Sequence, residues 1–264
     1  MRISIDHITH YTYEAPVRYS TQYLRLSPQS GAHQRVIDWS LETPGTPIEL
    51  RDGYGNTLHV LTLDDPVTEI VIRARGVVET SATADKRATE PRLSPLLFLR
   101  PTPLTRAEGG MLEFAERFRD RAGTVPGLRD LAAAVLDKLP FLPGVTEVHS
   151  TATEAFDAGN GVCQDHAHVF IGCCRHLGVP ARYVSGYLYS VGHAESVVAS
   201  HAWAEAWVGN RWHSFDITNS RAQGEHHIRL AIGADYLDAS PVRGVRHGGG
   251  EETMVTHALV GLDQ

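Results

Sequence analysis

The chain has 264 residues, 42% of them hydrophobic and 21% charged, an ordinary globular composition with room for one large domain or two small ones. A formal charge of −7, with no basic run or basic-aromatic stripe, argues against a nucleic-acid partner. No apolar stretch approaches the roughly 20 residues of a membrane span, and Met1-Arg2-Ile3-Ser4-Ile5-Asp6-His7 reads as a strand rather than a signal peptide, so a cytoplasmic protein without membrane association is expected.

Residues 1–80 read as all-β. Apolar and polar residues alternate at Ile3–Ile8, Gln22–Leu26, Thr57–Leu63 and Glu69–Ala74, and turn signals at Ser27-Pro28, Pro44-Gly45, Asp52–Asn56 and Asp65-Pro66 separate them. This pattern predicts a small antiparallel sandwich or barrel. Residues 81–110 change character: four prolines (Pro91, Pro95, Pro101, Pro103) and the polar run Thr83 to Arg92 predict a linker crossing a surface.

The remainder, 111–264, reads as a second domain that begins with helices. Met111, Leu112, Phe114, Ala115 and Phe118 form one amphipathic stripe; Leu128, Leu131, Ala132, Val135 and Leu139 form another, with Pro126 at its start. Thr151 and Glu154 have capping-box spacing, and Gly159 is placed to end that short helix.

Three cysteines follow, Cys163, Cys173 and Cys174, an odd and clustered set that makes a poor disulfide framework. Cys163, Ala167, Phe170, Cys174 and Leu177 are spaced as one face of a helix, with Gly178 at its C-terminal cap and Pro180 beyond. Gly161 permits a close backbone approach just upstream. Cys163 therefore opens a helix of about four turns. Free N–H groups and the helix dipole favour a thiolate there, and the same N–H groups suit a developing oxyanion. Asp165 suits the dipole as well. Cys173 and Cys174, in mid-helix, read as small buried apolar residues.

Ala181–Tyr189 reads as a strand, Ser190–Ser200 as a polar loop, and His201–Val208 and Arg211–Ile217 as two strands joined by a Gly209-Asn210 hairpin turn. If Val208 pairs with Arg211, Trp207 faces Trp212 and Trp203 faces Asp216. His201 then shares a face with Asp216 as its diagonal neighbour, ~7–8 Å away at the backbone. The other face, Ala202, Ala204 and Ala206, is small enough to pack closely on a second element. A thiol needs a base and the base needs an orienting carboxylate; Cys163, His201 and Asp216 supply all three. Trp203 reads as a wall of the site and the Trp207–Trp212 pair as structural. Gly248–Glu252 reads as a solvated turn before a final strand, Thr253–Leu262.

Three tracts carry a family resemblance: Gly161-Val162-Cys163-Gln164-Asp165, Leu177–Tyr187 and His201-Ala202-Trp203-Ala204-Glu205. With Ala234-Asp235-Tyr236, Ser240–Gly244 and the β-rich start, they make nearly the whole chain resemble the bacterial transglutaminase-like proteins of the papain-like thiol superfamily. The resemblance implies an α+β fold, with an N-terminal antiparallel β sandwich or barrel and a core whose cysteine helix packs on an antiparallel sheet. It implies Cys163 as nucleophile, His201 as base and acid, and Asp216 as orienter. His166 stands where an aromatic such as Phe is expected, and Gln164, His166 and Trp203 are candidate site-wall or substrate contacts.

The expected function is attack on an amide or peptide bond through an acyl-thioester, with a peptide or protein substrate and no cofactor. Hydrolysis is preferred; acyl transfer to an amine shares the first half-reaction. A metal module built from Cys163, His166, His168, Cys173, Cys174 and His176 is disfavoured, since residues 163 and 173 lie almost three helical turns apart and no Cys-x-x-Cys pair exists. No metal is expected. A catalytically inactive binding protein of the same fold is the remaining alternative, and the intact Cys163, His201 and Asp216 argue against it. Oligomeric state is not legible.

Overall fold

The computed structural model describes residues 1–83, 93–189, 200–220 and 224–263. Its organising element is β1, Arg2–Leu24, one strand of 23 residues that contains both the alternating segment at Ile3 and the one at Gln22. Its first half pairs with β5 (Val67–Thr80) and β11 (Glu252–Leu262), its second half with β4 (Thr57–Leu63) and β10 (Val242–Gly248). A register shift against β5 between Thr12 and Val17 marks the changeover, beside Pro16, which has no N–H for a ladder. With β2 (Gln34–Glu42) and β3 (Ile48–Arg51) the result is a seven-stranded antiparallel sheet in the order β2-β5-β1-β4-β3, with β10 and β11 also on β1.

Two features cross the division expected at residue 111. The last two strands, grouped in sequence with the second domain, hydrogen-bond to the first sheet. The stretch read as a surface linker is mostly exposed where it is described and is anchored at three residues: Phe98 and Thr105 are fully buried and Leu104 nearly so. Arg175 is the reason. Its buried guanidinium donates to the carbonyls of Phe98 (2.9 Å), Ala181 (2.9 Å) and Ala234 (2.6 Å) and to the Thr105 hydroxyl (2.6 Å), tying the segment to the core. Burial lowers its pKa to about 10, against the opposing charge of Asp235. Residues 84–92 of the expected linker lie outside the described residues.

The second sheet has the order β8-β7-β6-β9, from β6 (Ala181–Leu188), β7 (Ser200–Val208), β8 (Arg211–Phe215) and β9 (His227–Gly233). The β7–β8 turn has positive φ at both Gly209 (58°) and Asn210 (63°), the conformation whose twist suits a two-residue hairpin. It sets Val208 opposite Arg211 and Trp207 opposite Trp212, the register expected from the sequence.

The central α4 (Cys163–His176) lies on one face of this sheet with α2 (Val125–Lys138) beside β8, while α1 (Gly110–Glu116) and α3 (Ala152–Ala158) pack on α4; a one-turn α5 (Tyr236–Ala239) follows β9. The α3 capping box between Thr151 and Glu154 forms, and Gly159 ends the helix at φ 72°. Ala202, Ala204 and Ala206 of β7 share a core cluster with Val169, Phe170 and Cys173 of α4, so the small residues let the helix sit close. The opposite face of the sheet, through Tyr187, Ile228 and Leu230, joins Ile3, Leu24 and Ile72 in the core of the first sheet. Each such fully buried Leu, Ile or Tyr stabilises by about 1.5–3 kcal/mol relative to exposure. The second sheet is thus enclosed between helices and strands. At its border, β9 meets two side-chain amides: Gln34 accepts from the Arg229 N–H (2.7 Å) and donates to its carbonyl (2.8 Å), and Asn56 does the same at Ile232 (2.9 and 2.8 Å). Among the described residues no helix is long and apolar enough to cross a membrane.

Candidate active site

Cys163 is the first residue of α4 and is half-buried. Its placement depends on the turn before it. A Cβ on Gly161 would stand 2.7 Å from the Asp165 Cβ, so only glycine admits the Asp165 side chain folding back over the helix start. Asp165 then accepts from the Val162 N–H (2.8 Å) and the Thr146 hydroxyl (2.7 Å), a carboxylate at a helix N-terminus as the dipole favours. Cys173 and Cys174 are fully buried; burial raises the Cys173 thiol to about 12 and holds the Cys174 thiol well above its usual range. Neither is poised as a nucleophile.

Because α4 lies on the alanine face of β7, its N-terminus reaches the level of His201 at the start of that strand. His201 Nε2 lies 3.0 Å from Asp216 Oδ2, and Cys163 is close enough to the ring to act on its proton. The hairpin register brings Asp216 here, one residue past the end of β8. Burial of the ring disfavours its charge, but the hydrogen bonds and charges of Asp216 and Cys163 outweigh that effect and push the pKa up to about 9. Asp216 is 1% exposed. Burial alone would raise its pKa, but its hydrogen bonds with His201 and His227 hold it well below the usual carboxylate range.

Two groups around Asp216 escape the sequence reading. Asn219 donates through its backbone N–H (3.2 Å) and its Nδ2 (2.9 Å) to the carboxylate, an Asx-type turn three residues long. His227, at the start of β9, places Nε2 2.9 Å from Asp216 Oδ2. The Asp-x-x-Asn spacing was a local signal for Asn219. The only sequence sign of His227 was a His-His pair before an alternating run; its partner is set by strand order, which local patterns do not reveal.

The other expected contacts take supporting positions. Trp203 is fully buried and stacks behind His201 with ring centroids 6.1 Å apart, so it backs the imidazole rather than facing solvent. Gln164 donates to the Val148 carbonyl (2.9 Å). His166 is fully buried with both ring nitrogens engaged, by the Thr218 hydroxyl (2.9 Å) and the Leu139 carbonyl (2.7 Å), so it braces the site and is closed to substrate; burial lowers its pKa. The remaining members of the hypothetical metal set do not converge: His168 accepts from the Tyr236 N–H at 3.1 Å, and His176 pairs with Glu116 at 2.6 Å. Among the described residues, His201, Asp216 and His227 do bring ligand-type atoms within 4.8 Å of one another. The Gly224 N–H donates to His227 Nδ1 (3.3 Å), which leaves the His227 proton on Nε2, and the contact with Asp216 is a hydrogen bond.

One rim of the nucleophile is apolar. Phe141, Leu142, Val145 and Val148 are about half exposed, at 51, 47, 47 and 49%. Their loop is clamped to the start of α4 by Leu142 N–H to the Gly161 carbonyl (2.9 Å) and by the Gln164 and Thr146 bonds.

A thiol at a helix start, an imidazole and a carboxylate on adjoining strands define the class of papain-like thiol folds. Sequence comparison narrows this. Residues 3–79 match the bacterial transglutaminase-like N-terminal region, and residues 113–217 match the transglutaminase-like superfamily. The chain is 32% identical to an uncharacterized protein of Mycobacterium leprae, over 94% of each. It is 28% identical to one of Mycobacterium bovis, over 96% of this chain and 90% of that protein. A crystal structure from Cytophaga hutchinsonii, provisionally assigned as a cysteine protease, shares the fold with a TM-score of 0.78 at 21% identity, covering 100% of this chain and 91% of that one. The chain belongs to the transglutaminase-like superfamily and carries its bacterial N-terminal region.

Proposed function

We propose that the protein is a cysteine-nucleophile enzyme that cleaves amide or peptide bonds through an acyl-thioester. The observation that carries this reading is the juxtaposition of Cys163, at the start of α4, with His201, whose Nε2 is 3.0 Å from the buried Asp216. With its pKa near 9, His201 is an imidazolium at neutral pH and holds the proton that the leaving amine needs. Cys163 attacks as the thiolate and forms the C–S bond; the carbonyl oxygen becomes an oxyanion beside the first-turn N–H groups of α4. Collapse of this intermediate expels the amine, protonated by His201. Neutral His201 then takes a proton from water, which attacks the thioester and releases the acid and Cys163.

A peptide or protein substrate is favoured by the half-exposed apolar rim at 141–148, which offers contact area to a chain lying across the thiol. Three free cysteines on one helix fit a reducing, cytoplasmic setting. Acyl transfer to an amine is the alternative second half-reaction. Incubation with a peptide library, with and without a primary amine, tests both. Cleavage lost in Cys163→Ala supports the hydrolase, amine incorporation supports transfer, and neither product at any pH overturns the enzyme reading.

A further inference from the structure

Asp216 serves two imidazoles at once. Its Oδ2 lies 3.0 Å from His201 Nε2 and 2.9 Å from His227 Nε2, and Asn219 Nδ2 adds a third donor at 2.9 Å. The two rings differ in role. His201 is the ring that Cys163 acts on. His227 accepts from the Gly224 N–H at Nδ1 (3.3 Å), which leaves its Nε2–H aimed at the carboxylate. It is 1% exposed and meets the Trp203 ring edge-to-face at 5.2 Å, while the same Trp203 stacks on His201. Gly186 makes the approach possible: a Cβ there would stand 2.0 Å from the Ile228 carbonyl oxygen and 2.7 Å from Trp203 Cη2, so no other residue lets β9 close on β6 at this point.

We propose that His227 is a positioning residue of the catalytic site: its Nε2–H fixes the rotamer of Asp216 and draws part of the carboxylate charge away from His201, so that the imidazolium remains acidic enough to release its proton to the leaving group. The inference rests on the thiol-enzyme reading above. The groups facing His201 are Cys163 and His166 from α4, Asp216 beyond β8 and His227 from β9. Of these, His227 is the one that shares the Asp216 oxygen with His201. Removing its N–H returns charge to Asp216 Oδ2 and strengthens the Asp216–His201 bond. The titration of His201 then moves upward, and its proton is released more slowly.

The test is ¹⁵N imidazole titration of His201 in the full-length protein, with alkylation of Cys163 by iodoacetamide as a separate measure of thiol activation. In His227→Leu the His201 midpoint is expected to rise by about one pH unit. His227→Gln, whose amide nitrogen reaches the Nε2 position, should stay near the parent value, while the shorter His227→Asn should behave like the leucine variant. Turnover in the leucine variant should fall about tenfold in kcat with KM unchanged, because the bond acts on proton transfer and not on substrate. A His201 midpoint that stays put or falls in both His227→Leu and His227→Asn overturns the proposal, as does a failure of His227→Gln to restore it. If His201→Ala leaves alkylation of the parent Cys163 unslowed, the thiol-enzyme reading fails instead. Should the leucine variant not fold, the asparagine and glutamine pair still decides the matter.

Discussion

Two buried histidines, His7 and His201, show how partner chemistry reverses the effect of burial. His7 sits where the two sheets meet, 5% exposed, with Nδ1 2.8 Å from the Tyr187 hydroxyl and Nε2 2.9 Å from the Thr256 hydroxyl. Hydroxyls either donate or accept, so they satisfy a neutral ring without favouring a charged one. Burial then dominates and lowers the pKa to about 4. The His201 side chain is 8% exposed, yet Asp216 and Cys163 carry it to about 9. One ring joins sheets; the other stores a proton.

The largest expected effect comes from converting the second environment into the first. Asp216→Asn keeps the shape but removes the charge, so His201 should titrate below 6.5, with turnover reduced about 10³-fold or more, measured with any cleaved peptide. Next is the alkaline limb. The folded pKa of His201 lies above its unfolded value near 6.5, so its contribution to stability is complete below pH 6.5 and is lost as pH rises through about 9. Activity should decline over the same upper range as the imidazolium disappears. Urea midpoints of His201→Gln should lack that alkaline slope; an unchanged slope would contradict the assignment.

His7 gives the opposite sign. Its folded pKa lies below the unfolded value, so its stability is present above pH 6.5 and is lost as pH falls toward about 4. Buried His168, lowered to about 3, acts in the same direction. His7→Gln should therefore shrink, but not abolish, the loss of urea midpoint between pH 7 and pH 5. The smallest effect belongs to Thr256→Val, which removes one hydroxyl partner of His7 and should lower stability by about 1 kcal/mol without touching the pH profile of turnover.

Spacing within single elements was more legible in the sequence than the strand order that surrounds them. Cys163 could be placed by helical spacing and its glycine, and the distance from His201 to Asp216 followed from one two-residue turn, because hairpin register is a local property. The joining of the Ile3 and Gln22 segments into one strand was not legible, since a register shift at Pro16 looks like a break when only alternation is read. The return of residues 242–262 to β1 was equally hidden, as strand partners distant in sequence leave no mark on either segment. The anchoring of the 93–109 stretch through Phe98, Leu104 and Thr105 to Arg175 and the core was not legible, because its prolines and polar residues resemble a loop. His227 was missed for the same reason as the long-range strands: its meeting with Asp216 depends on β9 lying beside β6.

The amides of Gln34 and Asn56 stand where a fifth strand would otherwise add to β9. An unprotected strand border is a template for other chains, and ordinary defences are charge, proline or a bulge. Here the defence is borrowed from the neighbouring sheet, two residues imitating a backbone. The half bearing the thiol consequently cannot be excised as a well-behaved fragment: freed of residues 1–80 it would present a raw margin to its own copies, and self-association would precede any loss of chemistry.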